Sequence, residues 1–107
     1  MDFDCLLRLL GEPKRLAILR ALLERRHCVR SLSRKLGITE SAVSQHLKQM
    51  REAGLVYAEQ YGYHTHFYPS QAALELLSGE LNAMAERSRV LDRTVRECQC
   101  EYKEKEP

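Results

Sequence analysis

Within this chain of 107 residues, the stretch from Leu32 to Val56 leaves the fewest choices of conformation, because two glycines punctuate it. Gly37 falls one residue past the apolar Leu36, where a helix C-terminus favours a residue that tolerates the left-handed conformation. Ile38 then fills a turn, and Thr39 is placed to cap a longer helix that runs from Glu40 to about Ala53. Gly54 stops that helix in the same way. The order is short helix, tight turn, longer helix, then the start of a strand.

The longer helix divides its faces cleanly. At about 100° per residue, Val43, Leu47 and Met50 cluster on one side, which is therefore buried. Ser41, Gln45, Lys48 and Glu52 point the opposite way, with Ser44 and Arg51 on a shoulder. Small hydroxyls, an amide and cations suit a helix lying in a DNA major groove: Gln pairs with adenine, Ser bonds to several base edges, and Lys or Arg reaches phosphate or guanine. Face composition alone is equally that of an ordinary amphipathic surface helix.

The flanking segments complete a helical chain. Phe3, Leu6, Leu7 and Leu10 form the stripe of an amphipathic helix, broken by Gly11. Pro13 suits the first turn of a second helix, which reaches Leu23 or Glu24 and buries Leu16, Ile18, Leu19, Leu22 and Leu23. Arg25-Arg26-His27 reads as a polar connection, and Val29, Leu32 and Leu36 as the inner face of the helix before the turn. After Gly54, Leu55 to Tyr61 reads as a strand, Gly62 as its turn, and Tyr63 to Tyr68 as the returning strand, ended by Pro69.

Ser70 caps a last helix expected over about 70–100, with a polar tail at 101–107. Leu74, Leu77, Leu81, Met84, Ser88, Leu91, Val95 and Cys98 follow one another at alternating spacings of three and four, a heptad seam with one polar interruption. One small core cannot bury so long a seam. Its simplest partner is a second copy across a two-fold axis.

Length favours a single domain of 107 residues. No apolar run is long enough to span a membrane, and the acidic start lacks a secretory n-region, so a cytoplasmic protein is expected. The net charge of +2 hides an asymmetry: Lys14 to Arg51 holds ten Lys or Arg against Glu24 and Glu40 alone, a local +8. A basic block around a helix-turn-helix is the footprint of a phosphate-binding surface. No nucleophile–base–acid set or phosphate loop is present, so an enzyme is not expected.

Ala42-Val43-Ser44-Gln45-His46-Leu47-Lys48, with Met50-Arg51-Glu52-Ala53-Gly54-Leu55-Val56 after it, resembles the recognition helix and following turn of the ArsR/SmtB family of winged-helix bacterial repressors. Leu10-Gly11-Glu12-Pro13-Lys14-Arg15-Leu16-Ala17-Ile18-Leu19 is similar to the family's opening helix, and the Tyr57 to Tyr68 hairpin to its wing. The resemblance implies a mainly α fold with a small β-hairpin wing, a winged helix-turn-helix that is dimeric through its first and last helices. It also implies a homodimer on double-stranded DNA at a palindromic operator. On this reading Ser41, Ser44 and Gln45 read bases, while Lys48, Arg51, Arg34, Lys35 and Ser31 hold the backbone. Thr39, His46 and the wing's Tyr63 and His64 complete the expected surface. Phe3, Leu6, Leu10, Leu77, Leu81, Met84, Leu91 and Val95 are the expected dimer residues.

Four cysteines in a reducing compartment should be thiols. The family's arsenic and cadmium sensors carry Cys-Val-Cys where this chain has Cys28-Val29-Arg30, so only the first thiol matches. Its zinc, cobalt and nickel sensors use Asp and His of the last helix, yet Gln71 to Val95 contains no His. Three uses stay open. Cys98 and Cys100, with Cys28 or Cys5, could hold a thiophilic ion such as As(III), Cd or Zn, which the fold itself does not require. Cys28 and a C-terminal Cys could form a disulfide or polysulfide switch. Some thiols, Cys98 on the seam especially, could be apolar fillers. A wing metal site at His64 and His66 is a lesser option. Rivals of another class are a winged helix that binds protein rather than DNA, and a metal-storage protein.

Overall fold

Asp2 opens the first helix by accepting a hydrogen bond from the Asp4 N–H at 3.3 Å. Residues 1–91 are described by the computed structural model. They form α1 (Phe3–Leu10), α2 (Pro13–Glu24), α3 (Val29–Leu36), α4 (Glu40–Glu52), β1 (Val56–Tyr61), β2 (His64–Pro69) and α5 (Gln71–Val90). The fold is a mainly helical winged helix, as expected. Cys98, Cys100, Val95 and the 101–107 tail lie outside the described residues.

The glycine signals hold. Gly37 ends α3 at φ 68°, and its N–H donates to the Ser33 carbonyl at 2.9 Å. Thr39 caps α4 by accepting from the Ala42 N–H at 3.0 Å. Gly54 turns the chain out of α4 at φ 81°. Ser70 caps α5 through the Ala73 N–H.

The core gathers Leu6 of α1, Ile18 of α2, Leu32 of α3, and Val43, Leu47 and Met50 of α4 beneath Leu55, Val56 and Phe67 of the hairpin. Ala73 and Leu77 close it from the first two turns of α5. Two expected dimer residues are therefore reassigned: Leu6 is 0% and Leu77 5% exposed within one protomer, so neither has surface left for a partner. Leu23 corrects in the other direction. It stands exposed, because α2 turns Ile18, Leu19, Ala21 and Leu22 inward instead.

The hairpin is antiparallel, with Tyr61 opposite His64 and Gly62-Tyr63 as a two-residue turn. Gly62 takes φ 60°, which a first turn residue of this length of loop favours in glycine. Both strands begin one residue later than expected: Leu55 precedes β1 and Tyr63 precedes β2, and Pro69 is included in β2, paired with Val56. Proline is tolerated there because it is the last residue of an edge strand.

Arg25-Arg26-His27 is not simply polar, because His27 is 2% exposed. Its carbonyl accepts from the Phe67 N–H at 3.1 Å, a one-residue bridge that ties the wing to the start of α3.

Candidate nucleic-acid interface

The buried side of α4 fixes which residues it can present. With Val43, Leu47 and Met50 locked in the core, Ser41, Ser44, Gln45, Lys48 and Arg51 are all exposed. Ser44, Lys48 and Arg51 line a cleft of about 230 Å³ that Val29 and the wing's Phe67 close on the other side. The recognition face thus abuts the wing. His46 is half-buried at the edge of the core side.

The remaining expected contacts divide. Arg34 is exposed, whereas Lys35 is tied to Glu24 at 3.1 Å. Ser31 is half-buried, and its hydroxyl is engaged by His27 Nδ1. Thr39 is exposed but spends its hydroxyl oxygen on the α4 cap. Tyr63 projects fully at the wing tip, and His64 is exposed beside it. Arg25, Arg30, Arg34 and Lys35, with Cys28 and Ser31, line a groove of about 530 Å³ at the α3 N-terminus. The local excess of cations is therefore concentrated spatially as well as in sequence.

The outer face of the wing is a second cluster, of which the sequence suggests only His64 and His66. Register places Tyr57 opposite Tyr68, Glu59 opposite His66, and Tyr61 opposite His64. The Tyr57 and Tyr68 rings stack at 5.3 Å, and the His64 and His66 rings are nearly parallel at 6.4 Å. Arg26 lies over the Tyr61 ring at 5.5 Å. The Tyr61 hydroxyl accepts from Tyr68 and donates to Glu59, and its pKa is pushed up to about 12 by those bonds.

Buried polarity centres on His27. Burial, and then the nearby Arg25 and Lys35 charges, push its imidazole pKa down. Its Nε2 has no hydrogen-bond partner among the described residues. The signal that could have found it is positional: a short side chain that follows two arginines and precedes an apolar helix face.

The thiols are less united than expected. Cys5 and Cys28 are both half-buried and, among the described residues, unbridged, and they line different clefts, Cys5 beside α4 and Cys28 in the basic groove. Among the described residues, no group of three or more His, Cys, Asp or Glu could hold a metal ion, the wing histidines included. No helix among them is long and apolar enough to cross a membrane.

Comparison with known proteins agrees with this geometry. Residues 12–58 match the family described as bacterial regulatory protein, arsR family. The HTH-type transcriptional repressor SmtB of Mycobacterium tuberculosis is 44% identical over 57 residues, which cover 53% of this chain and 42% of that protein. The chain thus spans less than half the length of that curated relative. Reduced HlyU from Vibrio cholerae superposes with a TM-score of 0.63 at 30% identity, over 76% of this chain and 85% of that one. A possible transcriptional regulator for arsenical resistance superposes with a TM-score of 0.67 at 26% identity, over 74% and 82% of the two chains.

Proposed function

Because this chain belongs to the ArsR/SmtB family of bacterial winged-helix regulators, a family of regulators and not of enzymes, we propose that it is a homodimeric transcriptional repressor. It binds a palindromic operator in double-stranded DNA with α4 in the major groove. The observation that carries this is the exposed row Ser41, Ser44, Gln45, Lys48 and Arg51, set opposite a fully buried face and against the wing. Hydroxyls and an amide in that row supply base-edge contacts, and Lys48, Arg51 and Arg34 supply phosphate contacts. The exposed seam of α5 joins two copies. Half-sites about one helical turn apart follow from that symmetry.

The signal we assign to this repressor is a thiophilic ion held by Cys98 and Cys100 with Cys28 or Cys5. A ligand that favours a DNA-incompetent dimer must weaken DNA affinity by the same coupling factor. A thiol switch between Cys28 and a C-terminal cysteine is the second reading, favoured by the placement of Cys28 among Arg25, Arg30 and Arg34.

One titration tests both levels. Binding of fully reduced protein to its operator should fall steeply as salt rises. Flat, salt-independent behaviour would instead point to a protein-binding winged helix. As(III), Cd(II), Zn(II) and a polysulfide donor are then added to wild type and to a Cys98→Ser/Cys100→Ser variant. Release by one ion, lost in the variant, supports the metal sensor. Release by polysulfide alone supports the thiol switch. Metal binding with no change in DNA affinity is the outcome expected of a storage protein.

A further inference from the structure

We propose that Arg15 is a specificity-determining positioning residue that sets the angle of α4 against α1. It thereby couples the recognition face to the helices at which two copies meet. The coupling half of this rests on the function proposed above; the tether itself does not.

The geometry is a two-point clamp. From the first turn of α2, Arg15 Nε donates to the Leu9 carbonyl at 2.7 Å, and Nη1 donates to Gln49 Oε1 at 3.1 Å. Leu9 lies in the last turn of α1, where its carbonyl also accepts a long 3.4 Å bond from the Glu12 N–H and a cation is favoured. Gln49 lies on α4 one turn beyond Gln45, on the same flank, so its position sets that of the proposed base reader. One guanidinium therefore joins the end of α1 to the reading helix.

Packing holds the two helices where Leu6 of α1 and Met50 of α4 share the buried core, but it does not fill the space beyond. Between α1 and the C-terminal half of α4 lies an open cleft of about 450 Å³, lined by Cys5, Arg8, Leu9, Arg15, Gln49 and Glu52 among others. Across that cleft the Arg15 bridge is the direct side-chain link between the end of α1 and α4 among the described residues. On its other side α1 packs against α5, so a shift at the α1–α5 pair reaches α4 through Arg15. Lysine is a poorer substitute, because its ammonium is a point charge on a flexible stem and lacks the rigid planar fork that holds both acceptors in one geometry.

The test compares Arg15→Lys, Gln49→Ala and the double variant. The probes are a duplex selected by wild-type protein from a random pool and a scrambled duplex of equal composition. Hydrogen exchange is read on the DNA-free proteins. Arg15→Lys keeps the charge, so affinity for scrambled DNA and the salt slope should stay as in wild type. Affinity for the selected duplex should fall about ten-fold, the size of one charge-assisted hydrogen bond. Amides of residues 48–53 should exchange faster in both single variants, and the double variant should be no worse than either.

Equal losses on both duplexes would make Arg15 a general DNA-backbone contact and overturn the proposal. Additive effects in the double variant, or unchanged exchange in α4, would overturn it too. If wild type selects no duplex, the repressor reading fails on its own. The exchange and additivity results then still decide whether Arg15 tethers the two helices.

Discussion

Helices α4 and α5 start from the same kind of sequence, an apolar stripe at helical spacing, and meet opposite fates. In α4 the stripe is consumed within the protomer, with Val43, Leu47 and Met50 each at most 2% exposed. In α5 only Ala73 and Leu77 are buried, and every residue from Ser78 to Val90 is exposed, including Leu81 at 48% and Met84 at 54%. A helix whose apolar side is satisfied internally can offer its polar side to a ligand. One that carries its apolar side into solvent for three turns leaves that side open to the second copy proposed above. Periodicity alone does not distinguish the two, since it reports that a face is apolar and not what covers it.

Mutations can sharpen or break this contrast. The largest effect on folding should come from Leu47→Ala, which empties a closed core site. A loss of about 2–5 kcal/mol is expected in denaturant titration, the same at every protein concentration. Leu81→Asp should behave oppositely. It should yield a folded monomer by analytical ultracentrifugation that binds DNA poorly, its cost appearing only through concentration dependence. A dimer that survives Leu81→Asp would sink the assignment of the α5 seam.

Smaller effects test the polar side of α4. Gln45→Ala should cost about 1–3 kcal/mol on the operator and much less on random DNA; equal losses would remove Gln45 from the base readers. Thr39→Ala removes the cap and should cost about 1 kcal/mol of stability, seen as a lower urea midpoint. The smallest expected effect is a pH slope. His27 is held neutral by burial, with a folded pKa below the ordinary 6.5. Between those two values the unfolded chain binds the proton and the folded chain refuses it. Stability present above pH 6.5 is therefore lost as the pH falls. His27→Gln should flatten that slope, and identical slopes in the two proteins would show that His27 does not titrate on unfolding.

Much of the reading helix was legible because its determinants are local. Gly37 at a left-handed φ, the Thr39 cap and the three-residue core stripe each act within one turn of chain, so sequence spacing determined them and with them the exposed row from Ser41 to Arg51. The resemblance to known repressors covered the same stretch. What spacing could not supply depends on residues far apart in the chain. His27 is buried because Phe67, forty residues on, bridges to its carbonyl. Ser31 looks free for DNA until that same histidine engages its hydroxyl. Arg15 reads as one basic residue among ten until its two donors are seen to meet Leu9 and Gln49.

The division has a physical basis. Helix caps, turns and amphipathic faces are set by interactions over three or four residues, which the sequence of this protein displays directly. Which apolar face closes a core, which polar group is left buried and which cation is drawn into a bridge depend on contacts made only when the chain has folded back on itself. The tertiary structure alone decided that Leu6 and Leu77 close the core while Leu81 and Met84 stay exposed, because the core is full by the second turn of α5.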